Sequence, residues 1–168
     1  MNKNQINLLT SFLDSINKKH YEIYMELTQY AVSLGYTPKR NKTQDFSIDF
    51  RKNKFKTSIM KMDMHAEQNI PGLRLKFYAS ENYSQVFRDS IKKVIEEFDG
   101  RYTGCYGCGR CKGKLEGYTY VYPDGKKIFR CGRELIPILD FTAQNIEEIK
   151  ELIKKQDDFY NAKYTSSV

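Results

Sequence analysis

The stretch Phe46-Ser-Ile-Asp-Phe-Arg-Lys-Asn-Lys-Phe-Lys-Thr-Ser-Ile-Met-Lys-Met-Asp-Met64 decides the class of fold. Phe46, Ile48 and Phe50 alternate with polar residues, the period of a strand with one face on a core and the other in water. Lys52-Asn53 supplies a two-residue turn, and residues 55–62 return as a second strand. Met60, Met62 and Met64 then share one face as an adaptable apolar strip. Pro71-Gly72 punctuates the chain. After it, Leu73, Leu75, Phe77 and Ala79 alternate with Arg74, Lys76 and Tyr78, which predicts a third strand over 73–79.

On either side of this sheet the apolar period lengthens to that of a helix. Upstream, Leu9, Phe12, Leu13 and Ile16 form one stripe and Tyr24, Leu27, Ala31 and Leu34 another. Residues 4–34 are therefore helical, with Asn17-Lys-Lys as a kink or break and Gly35 and Pro38 as the stop. Downstream, Ser84 caps a helix over 84–98 whose stripe is Phe87, Ile91, Val94, Ile95 and Phe98, and Gly100 ends it. A hairpin follows, with strands over 117–122 and 127–131 around the turn Pro123-Asp-Gly125. The short apolar run 135–139 adds a further strand. Thr142 caps a last helix with Ile146, Ile149, Leu152 and Ile153 on one face.

This order predicts one α+β domain over residues 1–168, a mainly antiparallel sheet with helices packed on one face. Residues 101–133 form a cysteine-rich hairpin subregion within it, and 161–168 a frayed tail. A length of 168 residues with 40% hydrophobic and 29% charged residues suits a folded domain and argues against wholesale disorder. The sequence shows neither a secretory leader nor an apolar run long enough to span a membrane, so a cytoplasmic protein is expected.

The chemistry is concentrated in Cys105-Tyr-Gly-Cys108-Gly-Arg-Cys111 and Cys131, the only cysteines of the chain. Cys-x2-Cys with glycine inside is the geometry of a metal knuckle: the turn aims two thiolates at one point and offers backbone N–H groups to the sulfurs. The return strand brings Cys131 back beside it. The hairpin resembles zinc ribbons in general over residues 101–133, a resemblance that carries no activity. A tetrathiolate zinc held by Cys105, Cys108, Cys111 and Cys131 is the first expectation, and an iron–sulfur cluster the second. A redox dithiol and plain free thiols, with no metal, stay open. A redox dithiol ordinarily places its low-pKa cysteine at a helix N-terminus, whereas Gly, Lys and Arg follow here.

Charge points to a partner. The chain is +7 overall, yet residues 39–62 carry eight lysines and arginines against Asp45 and Asp49, and residues 101–133 carry eight against Glu116 and Asp124. The remainder is net acidic. Two basic patches on an acidic body suit a phosphate-bearing or otherwise anionic partner, nucleic acid among them, although lysine-rich hairpins also blunt sheet edges. Arg101, Tyr102, Tyr106, Arg110, Lys112 and Lys114 are the candidate contacts, with rings to stack on bases and cations to hold phosphates. Tyr118 and Tyr120 read instead as strand residues packing on the sheet.

His20 and His65 read as surface residues, and the paired glutamates as polar helix faces. No phosphate loop, dinucleotide fingerprint, zinc-protease helix or nucleophile elbow is present. The expectation is a non-enzymatic zinc domain with a basic, aromatic surface. The alternative is a small-molecule-binding or metal- or redox-sensing domain with an aromatic pocket.

Overall fold

One asparagine divides the N-terminal helical stretch. Asn17 is extended and its side chain accepts the Lys19 N–H at 3.0 Å, so two helices form, α1 (Lys3–Ser15) and α2 (Lys18–Ser33). The computed structural model describes residues 1–42, 45–65, 70–111 and 113–165. After α2 come four strands, β1 (Thr37–Arg40), β2 (Ser47–Lys52), β3 (Thr57–His65) and β4 (Ile70–Leu75), then α3 (Gln85–Glu96). The hairpin β5 (Gly117–Val121) and β6 (Lys127–Cys131) follows, then β7 (Ile136–Ile138) and α4 (Ile146–Thr165).

The fold is α+β. Among the described residues, five strands form one antiparallel sheet in the order β1-β2-β3-β4-β7, and β5 and β6 pair as a separate two-stranded unit. Register aligns the apolar positions. Ile48 lies opposite Met62, Met62 opposite Leu73 and Leu73 opposite Ile138, while Phe50, Met60, Leu75 and Ile136 form the adjacent row. Each of these side chains is buried, and the stripes of all four helices join them in a single core. Burying one such side chain is worth about 1.5–3 kcal/mol. The alternate positions make a charged face, where Asp63 Oδ2 accepts from Arg74 at 2.9 Å and Asp49 pairs with Arg51 at 2.5 Å. Among the described residues no helix is long and apolar enough to cross a membrane.

Several boundaries depart from the expected ones. The β2–β3 turn takes Asn53 to Lys56 rather than Lys52-Asn53, because a bulge between Phe50 and Arg51 shifts the register. Pro71 and Gly72 lie inside β4 and do not interrupt it. The strand stops at Leu75 rather than at 79, although the Lys76 N–H still donates to the Ile59 carbonyl at 2.9 Å. Pro38 stands in β1, an edge strand, where a missing N–H is tolerated. Helix α3 ends at Glu96. The chain turns left-handed at Phe98 and Asp99, leaving Phe98 62% exposed instead of continuing the stripe. Helix α4 continues through 161–165 of the tail expected to fray, where Tyr164 stacks on Phe55 with centroids 5.5 Å apart, and 166–168 lie outside the described residues.

The hairpin is tied to the rest through Tyr118. Its ring is buried 4.9 Å from that of Phe77, and its hydroxyl accepts the Phe77 N–H at 3.1 Å. Tyr120 packs partly buried against the same core.

Candidate metal and anion site

Glycine and one arginine give the cysteine segment its form. Gly107 and Gly109 adopt left-handed φ of 60° and 69°, with open space where a side chain would begin. Conformation, and not crowding, therefore requires glycine there. The turns so formed bring backbone donors to the sulfurs. The Gly107 N–H meets Cys105 Sγ at 3.4 Å, and the Glu116 N–H meets Cys111 Sγ at 3.4 Å. At Cys108 the Arg110 N–H does the same. With the Arg110 and Arg133 charges it holds that thiol below its ordinary range, against the opposing effect of burial.

Upstream, Gly104 bridges to Arg130 in parallel register and its N–H donates to the Phe129 carbonyl at 2.7 Å. The residues preceding Cys105 and Cys131 are thereby fastened side by side. Cys131 is buried, 2% exposed, and lines one cavity together with Cys108 and Cys111. Cys105 is exposed and outside that wall. Among the described residues no three His, Cys, Asp or Glu side chains converge closely enough to hold a metal ion.

Arg130 organises the loop from within. It is buried, donates to the Tyr102 carbonyl and to the Tyr106 hydroxyl at 2.5 Å, and lies 5.6 Å from the Tyr106 ring centre. Tyr106 is thus engaged in holding the loop to β6. Tyr102 is exposed, its ring edge-on to Phe98 at 5.4 Å.

The cavity bordered by the three cysteines has a volume of about 510 Å³ and opens beside a second hollow of about 430 Å³ over the charged sheet face. Both share Lys56, Thr57, Lys76, Arg110 and Arg133. Residues of the two basic segments, Lys56 from one and Arg110 and Arg133 from the other, therefore meet across one cleft. Lys76, from neither segment, borders both hollows. It is 5% exposed, its Nζ donates to Thr57 Oγ1 at 2.9 Å, and no carboxylate among the described residues lies within ion-pair distance. Burial, and then the Arg110 charge, pull its ammonium down to about 8.

Of the six residues expected to contact an anion, five are described, and among these the structure brings only Arg110 to this cleft. Arg101 and Tyr102 stand exposed away from it. Lys114 borders a different cavity with Tyr118 and Phe129, and Lys112 lies outside the described residues. Lys52 turns to Asp157 at 2.5 Å, whereas Lys54 lines the cleft. His20 is partly buried in α2, and the side chain of His65 lies outside the described set. Sequence reasoning passed over Lys56, Lys76 and Arg133. The one available signal was Lys76 continuing the polar row of Arg74 on a strand. Comparison of the chain with protein families, curated proteins and solved structures found no match.

Proposed function

We propose that the chain is a non-enzymatic, zinc-stabilised binding domain whose basic cleft meets nucleic acid. The convergence of both basic segments on a cleft walled by three of the four cysteines carries this reading. Cys105, Cys108, Cys111 and Cys131 are the ligands in this proposal, and the β5–β6 hairpin plays the part of a zinc ribbon's return strand. The donor set fits: four thiolates suit zinc, and backbone N–H groups already point at three of the sulfurs. Four protein ligands leave no open position, so zinc there crosslinks the loop and does not catalyse. Closing the centre requires Cys105 to turn inward, which couples metal binding to ordering of the loop. Lys56, Arg110 and Arg133 would then hold phosphates in fixed register beside the crosslink.

Elemental analysis of freshly purified protein, joined to nucleic-acid binding across a salt series, tests the reading. It calls for one zinc per chain and an affinity that falls by about 0.9 powers of salt concentration per phosphate contacted. Brown protein absorbing near about 400 nm replaces zinc by an iron–sulfur cluster. Absence of metal together with absence of binding overturns the proposal.

A second reading keeps the cleft and changes its occupant. Phe55, Tyr78, Tyr160 and Tyr164 also line the cavity of about 510 Å³, which suits a small anionic molecule, with the cysteines sensing metal or redox state.

A further inference from the structure

We infer that this cleft is a site for a phosphate monoester, held by Lys76 with Lys56, Arg110 and Arg133 around it. The inference rests on the cleft being the binding site proposed above and names the group it takes. A buried ammonium is ordinarily matched by a carboxylate. Lys76 is 5% exposed and has only the Thr57 hydroxyl among the described residues. The carboxylates of the walls are turned elsewhere. Glu116 binds Lys163 and the Tyr78 hydroxyl, Asp49 binds Arg51, and Glu134 lies 3.4 Å from Arg130. Arg110 and Arg133 have no carboxylate partner among the described residues. What remains is a pocket in which a compact charge, two guanidinium forks and a lysine at its margin are ion-paired with none of these carboxylates, Glu116 and Glu134 acting on Lys76 only from beyond ion-pair distance.

The shape selects among phosphates. A monoester offers three terminal oxygens and close to two charges, enough for an ammonium and two forked donors together. A phosphodiester within a strand has two free oxygens, one charge, and chain leaving on both sides, so it rests at the mouth. Only a terminal phosphate can enter as far as a side chain that is almost wholly covered. The space beyond, with the rings of Phe55 and Tyr164 in its wall, takes a base or sugar. The same group is presented by a free nucleotide and by the 5′-phosphorylated end of a nucleic acid.

The full chain is titrated with a labelled single-stranded oligonucleotide carrying a 5′-phosphate and with the same strand ending in a 5′-hydroxyl. In parallel it is titrated with 5′-AMP and with adenosine. The phosphorylated form is expected to bind about ten- to a hundredfold more tightly, and Lys76→Met to abolish the preference while retaining the fold, since methionine removes a buried charge. Arg110→Ser with Arg133→Ser, both exposed, gives the same loss by an independent route. If both strands bind equally, the inference is overturned while the nucleic-acid reading stands. If 5′-AMP binds over adenosine and neither strand binds, the inference stands and the nucleic-acid partner falls. If no phosphate is preferred in either pair, the site is not a monoester site.

Discussion

The ammonium of Lys163, near the end of α4, lies 2.5 Å from the Glu116 carboxylate at the entrance to the hairpin, and also donates to the Arg110 carbonyl at 2.8 Å. Its side chain is 8% exposed and that of Glu116 14%, so the pair is screened little by water. The last helix thereby holds both ends of the segment that carries Arg110 and Cys111. Removing Glu116 takes the carboxylate from a nearly buried ammonium and one of its two acceptors, the other being the Tyr160 hydroxyl at 3.3 Å, from the Tyr78 hydroxyl. Glu116→Ala is expected to cost about 3 kcal/mol in urea unfolding. Loss of an exposed pair such as Lys154–Asp158 is expected to cost nothing measurable. Equal effects at the two sites would show that the helix does not latch the loop.

Gly132 follows the last cysteine, and the chain passes so close to Tyr78 there that an added Cβ would lie 2.6 Å from the ring and 2.9 Å from the Glu116 carbonyl. Tyr78 cannot retreat freely, because its ring is set edge-on to Phe159 and Tyr118. Gly132→Ala is expected to destabilise by about 1–3 kcal/mol through overpacking, read as a lower thermal midpoint. Gly125→Ala, where open space surrounds the site, serves as a comparison for backbone strain alone. A neutral Gly132→Ala would mean that the hairpin seats more loosely on Tyr78.

Alkaline pH should unfold the chain through its buried tyrosines. Tyr24 donates to the Pro71 carbonyl at 2.8 Å and Tyr36 to Asp157 Oδ1 at 2.9 Å, while Tyr118 accepts from Phe77. Burial, reinforced at Tyr24 by Asp63 and at Tyr36 by Asp157, holds these hydroxyls protonated well above the usual tyrosine range. In the unfolded chain they ionise near about pH 10. Below that value both states carry the proton and the stabilisation is complete. Above it the unfolded state binds fewer protons, so stability falls as pH rises. Phenolate absorbance should therefore rise in two phases, the second coinciding with loss of helical circular dichroism. A single phase completed before any helix is lost would contradict this placement of the three hydroxyls.

The sheet was legible because its pattern is redundant. Ile48, Phe50, Met60 and Met62 each alternate with charge, and a slip by one residue would have put Asp49 and Lys61 into the core. Pro71 misled because its missing N–H matters only where a neighbour needs it. β7 pairs only with Leu73–Leu75, so β4 is open on that side beyond Gly72, and the Pro71 carbonyl accepts from Tyr24 instead. Phe98 kept helical spacing, but spacing does not show where a backbone turns left-handed. The cysteine cluster was visible as composition. The cleft was not, because Lys56, Lys76 and Arg133 are distant in the chain and meet only through the fold. Charge counts located the two segments but not the side chains that face each other, and Tyr106 was already committed to Arg130.

The methionine strip gives the core a particular weakness. Met60 and Met62 are fully buried between sheet and helices and Met64 nearly so, whereas Met1 is 59% exposed. Conversion of a thioether to its sulfoxide makes an apolar side chain polar. While the helices stay seated on the strip, peroxide has no route to it. A chain caught open by an oxidant would carry oxygen atoms on the surface it must bury, and could not close again. For this protein, oxidative injury would act as a ratchet on opening: harmless at the periphery, and reversed at the strip only by enzymatic reduction of the sulfoxide.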